Sequence, residues 1–281
     1  MTIRDFFRAL SATSPPRNEA RLLLAYVLHR DHAWLVAHDD YVFTNDELAH
    51  INALTARRVA GEPIAYLLGM REFYGREFRC SPAALIPRPD TELLIERALL
   101  RLAADAALRV FDQALLRVLD VGTGTGCVAI TIALESPNAI VTAIDISPDA
   151  LALAKENAQR LSANVTFIQS NWFAALPPDM QFDLILSNPP YIVPGDAHLI
   201  QGDLRFEPSI ALADAVDGLE SYRQLALGAQ RHLNPGGMLI VEHGYDQGKS
   251  VPALLSAAEL VDVATHRDLA GHPRITAARK R

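Results

Sequence analysis

A parallel α/β fold is predicted for the chain from about residue 117 onward, with helices in its first quarter. Three observations carry this. Short apolar runs at residues 118–121, 140–144, 165–168, 182–186 and 238–241 are mostly separated by a dozen or more residues of helical or loop character, the spacing that parallel strands and their crossover segments require. A glycine-rich turn follows the first run, and an acid ends the second. Before residue 69, apolar residues recur instead at helical spacing.

In chain order, Ser14 precedes Pro15 and Pro16, which suit a helix start because proline lacks a donor that would be unpaired there anyway. Ala20, Leu23, Leu24, Val27 and Leu28 continue as one helical face. Thr44-Asn45-Asp46-Glu47 is a capping box, and Leu48, Ile51, Leu54 and Val59 form the stripe behind it until Gly61 and Pro63 stop the helix. No acid, base or nucleophile is arranged for chemistry here. Residues 1–68 are expected to be a small helical bundle that docks a partner. In residues 69–88, Phe73, Tyr74, Phe78 and Arg79, broken by Gly69 and Gly75, predict a short hairpin. The segment from Ile86 through Pro87, Arg88, Pro89, Asp90 and Thr91 to Glu92 is too proline-rich for regular structure and leads into a helix carrying Leu93, Leu94, Ala98, Leu99 and Leu102.

Composition narrows the function. Half of the 281 residues are hydrophobic, enough for a packed core, but no apolar run approaches the roughly 18–20 residues that span a bilayer. The N-terminus has no signal-peptide pattern. Cys80 and Cys127 are the only cysteines, in unrelated contexts, which excludes a disulfide framework and a cysteine-rich metal site. A cytoplasmic, monomeric protein without a metal or a membrane partner is expected. The net charge of −7 and the absence of a basic block weigh against nucleic acid.

The first strand, Val118-Leu119-Asp120-Val121, runs into Gly122, Thr123, Gly124, Thr125 and Gly126. Alternate glycines let the chain turn with positive φ and let a ligand approach the backbone. Asp145 ends the second strand and suits two ribose hydroxyls. Gly124-x-Gly126-x-x-Ala129 also satisfies the loose dinucleotide pattern, so a nicotinamide cofactor is a rival. S-adenosyl-L-methionine is favoured because Asp120 is placed to attract the ammonium of a methionine moiety and because no hydride-transfer pair follows. Asn171 and Trp172, after the third strand, are lesser candidates for the adenine amine and the adenine face.

The fourth strand ends in Asn188, Pro189, Pro190 and Tyr191. This unit suits methyl transfer to a planar nitrogen. Such a nitrogen is a poor nucleophile until it pyramidalises, and positive charge then builds on its two N–H groups. The Asn188 side-chain oxygen and the Pro189 carbonyl are acceptors that stabilise that charge. The prolines fix the backbone, and Tyr191 stacks on the flat substrate. An exocyclic amine of adenine in nucleic acid offers the same chemistry and remains an alternative substrate.

On these motifs the chain resembles the release factor glutamine methyltransferase (HemK/PrmC) family. The resemblance includes Gly61-Glu62-Pro63-Ile64-Ala65-Tyr66, the segment from Leu85 to Glu92, Asp120 to Gly126, Asn188 to Tyr191, Arg205-Phe206-Glu207-Pro208 and Glu242-His243-Gly244. It implies a helical domain over residues 1–68, a hairpin linker over 69–88 and, over 89–281, a Rossmann-like S-adenosylmethionine-dependent methyltransferase domain with a mostly parallel seven-stranded sheet. It implies methylation of the glutamine in the Gly-Gly-Gln motif of bacterial peptide chain release factors, with S-adenosyl-L-homocysteine as product. Gly122 to Gly126, Asp145, Asn171, Trp172 and Asn188 would hold the cofactor, and Asn188 to Tyr191 the glutamine amide. A sister class that methylates a ribosomal-protein glutamine shares this chemistry. The chain departs from the family at Asn171, where Asp is frequent, and at Ala278, where glycine is common.

Overall fold

The computed structural model describes residues 1–10, 15–108, 115–214 and 216–281; the helix-start residue Ser14 lies outside them. The chain divides into two compact units, Met1–Met70 and Arg71–Arg281. The first holds helices α1 (Ile3–Ala9), α2 (Arg17–Leu28), α3 (His32–Ala37), α4 (Asn45–Val59) and α5 (Ile64–Leu68). Pro16 occupies the cap position of α2 rather than its first turn. The capping box of α4 forms in both directions: Glu47 N–H donates to Thr44 Oγ1, and Thr44 N–H to Glu47 Oε2. Ala20, Leu23, Leu24, Val27, Ile51 and Leu54 meet in this unit's core. Val59 does not, being 53% exposed at the C-terminal end of the stripe.

Strands β1 (Met70–Phe73) and β2 (Arg76–Arg79) form the hairpin. Its two loop residues, Tyr74 and Gly75, both take positive φ, the primed turn whose twist matches antiparallel strands. Gly69 belongs instead to the end of α5, where its φ of 70° closes the helix. Within the proline-rich segment, Pro89–Thr91 makes one 3-10 turn that feeds α6 (Glu92–Leu108).

The rest alternates: β3 (Leu116–Val121), α7 (Cys127–Glu135), β4 (Ala139–Asp145), α8 (Pro148–Leu161), β5 (Val165–Gln169), β6 (Phe182–Ser187), α9 (Ser209–Leu212), α10 (Glu220–His232), β7 (Leu233–Glu242), α11 (Ser250–Ala257), β8 (Val261–Arg267) and β9 (Pro273–Arg279). The seven-stranded sheet has the order β5-β4-β3-β6-β7-β9-β8, parallel from β5 to β7, with β9 antiparallel to both β7 and β8, so that β9 alone runs against the others. Successive residues of a strand point to opposite faces, and both faces are buried. Val118 and Leu184 join Leu94, Ile95 and Ile130 in one apolar cluster, while Leu119 and Ile185 join Tyr222, Leu225 and Leu255 in the other. Two-sided burial is why these strands read as continuous apolar runs. No helix of the described residues is long and apolar enough to cross a membrane.

One polar residue ties the hairpin to this sheet. Asn157 of α8 is fully buried; its Oδ1 accepts from Arg79 N–H at 2.7 Å, and its Nδ2 donates to the carbonyls of Arg79 and Thr125 at 3.2 and 2.9 Å. Asn157→Leu keeps the branched shape of the side chain but strands three backbone groups. Urea denaturation should then show a loss of about 3 kcal/mol; a loss within experimental error would mean that these bonds contribute nothing net.

Candidate active site

The strands that build the site stop level with one another. Val121 of β3 pairs with Ile144 of β4 on one side and Ser187 of β6 on the other. The next residues, Gly122, Asp145 and Asn188, therefore emerge side by side at the carboxyl edge of the sheet, where ligands bind in open α/β folds. A cavity of about 350 Å³ opens there, lined by Gly122, Thr123, Gly124, Thr125, Asp145, Asn171, Trp172, Asn188, Pro189 and Pro190 among others.

The glycine loop is wired from below. Gly122 and Thr123 N–H groups both donate to the Ile144 carbonyl, and Gly126 N–H donates to that of Thr123. Gly122, Gly124 and Gly126 have φ of 74°, 56° and 81°. A side chain at Gly122 would project into open space, but a Cβ at Gly126 would lie 2.8 Å from Ile130 Cδ1 and 3.1 Å from Ala154 Cβ. Gly126 is buried and does not line the cavity. It lets the loop pack on α7 and α8 rather than offering a surface to a ligand.

Asp145 is half-buried. Its Oδ2 accepts from Gly124 N–H and its Oδ1 from Ser147 N–H, both at 2.9 Å. Each oxygen is thereby held in place with lone-pair capacity left over. Asp120 touches the cavity but is 1% exposed. Its Oδ2 accepts from Thr123 Oγ1 at 2.6 Å and from Ala129 N–H at 3.2 Å, so this carboxyl also braces the loop from inside. Burial pushes it up to about 7, against the pull of those two hydrogen bonds.

Asn171 and Trp172 line the far wall after β5. Trp172 takes a φ of 50°, uncommon for a bulky residue. The bend is held by Ser170, whose N–H donates to the Asp145 carbonyl and whose Oγ donates to that of Trp172 at 2.6 Å.

The Asn188–Tyr191 backbone is held at Pro190 and Tyr191, and just before it at Ser187. Ser187 Oγ donates to the Val121 carbonyl, Ser221 Oγ to that of Pro190 at 2.8 Å, and Gln247 Nε2 to that of Tyr191 at 3.3 Å. Among the described residues the Pro189 carbonyl accepts nothing. Asn188 Nδ2 donates to Thr91 Oγ1 at 3.1 Å. Tyr191 does not line this cavity: it is half-buried against the α10 and α11 cluster, and burial pushes its phenol up to about 12. The expected stacking role is thus not what this cavity shows for that ring.

Several residues of the site carried no chemistry in the sequence reading. Glu207, with a fully buried side chain, accepts from Ile86 N–H at 2.9 Å and from the Arg88 guanidinium. This joins the proline-rich segment to the Arg205-Phe206-Glu207-Pro208 motif across more than a hundred residues. Asp214 gathers the N–H groups of Val216, Asp217, Gly218 and Ser221. Thr91 and Glu242 are both 2% exposed, and Thr91, which also lines the cavity, accepts from Asn188 Nδ2. The signal for Thr91, Glu207 and Glu242 was present in the motifs shared with the resembled family, but those motifs say nothing of which residues meet in space.

Comparison with known proteins agrees with this architecture. Residues 112–271 match the family model described as a methyltransferase domain, and residues 2–69 the PrmC N-terminal domain. The release factor glutamine methyltransferase of Bordetella pertussis is 52% identical over 93% of this chain and 94% of its own length. Those of Salmonella typhimurium and Escherichia coli are 44% and 41% identical, each over 99% of this chain and 97% of theirs. Among solved structures, a methyltransferase from Pyrococcus furiosus has a TM-score of 0.51 at 21% identity, over 80% of this chain and 96% of that one. The T. thermophilus 16S rRNA N2 G1207 methyltransferase, solved with AdoMet and guanosine, has a TM-score of 0.52 at 19% identity, over 75% and 50%. At those identities the likeness is one of fold. Similarity of 41–52% along nearly the whole of both chains is of another order, and it places this chain in the release factor glutamine methyltransferase family.

Proposed function

We propose that this chain transfers the methyl group of S-adenosyl-L-methionine to the side-chain amide nitrogen of a glutamine in peptide chain release factors, the residue that the family resemblance puts in a Gly-Gly-Gln motif. One observation carries the reading. On a single cavity wall, an Asn188 amide whose nitrogen is already engaged adjoins a Pro189 carbonyl that accepts nothing among the described residues.

The residues around the cavity fit that cofactor. The open space beside Gly122 leaves backbone accessible. Asp145 has spare acceptor capacity for two ribose hydroxyls. Trp172 and Asn171 offer a ring and an acceptor to the adenine. Gly122, Thr123, Gly124, Thr125, Asp145, Asn171 and Trp172 would hold it, with Gly126 shaping the loop from behind. When bound, the cofactor supplies an electrophilic methyl on a sulfonium.

The chain's own part is positioning and charge stabilisation. Asn188 Oδ1 and the Pro189 carbonyl accept the two N–H groups of the substrate amide. Their pull strengthens as the nitrogen loses its conjugation and becomes positive, so the gain is largest in the transition state. Fixed acceptors also turn the nitrogen lone pair toward the methyl. The alkylated nitrogen is acidic and loses its proton to water, so no strong base is required. Residues 1–68 dock the release factor, as suits a separate unit without a reactive constellation.

Mass spectrometry of release factor incubated with the protein and labelled cofactor should locate one methyl on that glutamine; label on another residue would overturn the reading. Asn188→Ala should lower kcat roughly 100- to 1,000-fold with the fold kept by circular dichroism, and near-normal turnover would contradict the role given to its oxygen. The glycines should separate. Gly126→Ala should cost about 3 kcal/mol of stability, whereas Gly122→Ala should cost about 1 kcal/mol and act chiefly on cofactor affinity by calorimetry. Removing residues 1–68 should raise the KM for release factor roughly tenfold or more while cofactor affinity holds; an equal loss of both would count against docking.

A further inference from the structure

We propose that Ser221 is a positioning residue for the transfer: by holding the Pro190 carbonyl, it fixes the direction of the Pro189 carbonyl beside it. The proposal rests on the reading of the Pro189 carbonyl as an acceptor for a substrate N–H.

A main-chain acceptor is aimed by the chain around it. An ordinary residue can be held through its N–H and its C=O, but proline has no N–H. Pro189 and Pro190 together therefore offer only two main-chain hydrogen-bonding groups, both carbonyls. With the first kept for the substrate, the second is the one group of the pair left to tie down. That is the group the structure holds. Ser221 Oγ donates to the Pro190 carbonyl at 2.8 Å, while the Pro189 carbonyl accepts nothing among the described residues.

The two rings make a single tether effective. Each peptide group is planar, and each ring locks φ near about −65°. Between the plane that carries the Pro189 carbonyl and the plane that carries the Pro190 carbonyl, only ψ of Pro190 is left to turn. A bond that holds the second plane restrains the first through that one torsion. Just beyond, the chain is held again. Gln247 Nε2 donates to the Tyr191 carbonyl at 3.3 Å and to that of Gly218 at 2.8 Å. Ile192 N–H donates to the Leu212 carbonyl, and the Ile192 carbonyl accepts from Asp214 N–H.

Ser221 is itself fixed. It stands in the first turn of α10, is 3% exposed and lines the cavity. Its one hydroxyl proton has two acceptors within reach, the Pro190 carbonyl at 2.8 Å and Asp214 Oδ2 at 3.1 Å. Asp214 already takes four backbone N–H groups: those of Val216, Asp217 and Gly218 on Oδ1, and that of Ser221 on Oδ2. An ionised carboxylate has about four lone-pair sites. These donors engage it without the hydroxyl, so the proton makes the shorter bond, to Pro190. Asp214 thus holds the backbone of Ser221, and the Ser221 side chain holds the peptide that follows the acceptor. The fit is close, since a Cβ on Gly218 would lie 3.0 Å from the Tyr191 carbonyl oxygen.

Without the hydroxyl, the Pro189 carbonyl is free to swing while the cofactor side of the cavity keeps its own bonds. An error in aim acts on the reacting geometry rather than on binding. Turnover should fall, with the affinity for both ligands kept. A general loosening of the cavity would instead weaken the cofactor as well.

The experiment uses the full chain, purified release factor and labelled S-adenosyl-L-methionine, with kcat and KM from initial rates and cofactor affinity by calorimetry. Ser221→Ala should lower kcat roughly 10- to 100-fold with KM for release factor and cofactor affinity unchanged. Ser221→Thr and Ser221→Val add the same bulk and differ only in the hydroxyl, so Ser221→Thr should turn over roughly tenfold faster than Ser221→Val. Wild-type kcat in Ser221→Ala, equal turnover by Ser221→Thr and Ser221→Val, or a loss of cofactor affinity that matches the loss of kcat would each overturn the proposal. Should Ser221→Ala not fold, the comparison of Ser221→Thr with Ser221→Val decides. If the wild type transfers no methyl to release factor, the function reading fails and takes this proposal with it; if the wild type transfers and the variants match it, only the role of Ser221 fails.

Discussion

Parallel strands share a hydrogen-bond ladder, and the ladder sets where they can end. Here Ile144, Val121 and Ser187 occupy one rung across β4, β3 and β6. The residue after each is thus delivered to the same edge, within reach of one small molecule. In the proposed function Asp145 would meet the ribose, Gly122 would lie in the middle and Asn188 would meet the accepting nitrogen. A slip of one residue in any of the three strands would also turn its apolar set to the wrong face. The packing that stabilises the sheet and the alignment that builds the site are the same constraint.

Around that edge the structure accepts an electrostatic cost. Asp120 and Glu242 are buried carboxyls raised to about 7 from ordinary values of 3.8 and 4.5. Burial is the leading cause at both. A carboxyl raised on folding binds protons more tightly in the native state. Its stabilising contribution is present below the unfolded value and is lost as pH rises through the folded one. Both groups therefore weaken the fold at neutral pH, and Asp120 accepts from the Thr123 hydroxyl and the Ala129 N–H in the glycine loop.

Much of this was legible in the sequence because the signals are local. The inner parallel strands announce themselves as apolar runs, since both faces of the sheet are covered there, as in β3 and β6. The glycine turn and the Asn188 unit are contiguous, and their chemistry follows from adjacent residues. What the sequence did not reveal depends on distance. The bond from Asn188 to Thr91 spans 97 residues, and the one from Ile86 to Glu207 spans 121. Gly126 reads as a ligand contact by its place in the motif, but its crowding comes from Ala154 on the next helix. Tyr191 reads as a stacking ring because it follows the acceptors, yet its side chain leaves the cavity for the second apolar cluster. In the first unit, α1, α3 and α5 are at most seven residues long, too short for a periodic stripe to stand out.

The crowding at Gly126 has a consequence for residues that never meet a ligand. Ala154 is fully buried on α8, with its Cβ 3.1 Å and its Cα 3.3 Å from where a Cβ on Gly126 would sit. The smallness of one position is only useful if the other stays small. A lineage or a library that enlarges Ala154 would push the loop outward into the cavity as surely as one that altered the loop itself. In a search for variants with a changed cofactor preference, position 154 would register as part of the pocket, although no atom of it lines the wall.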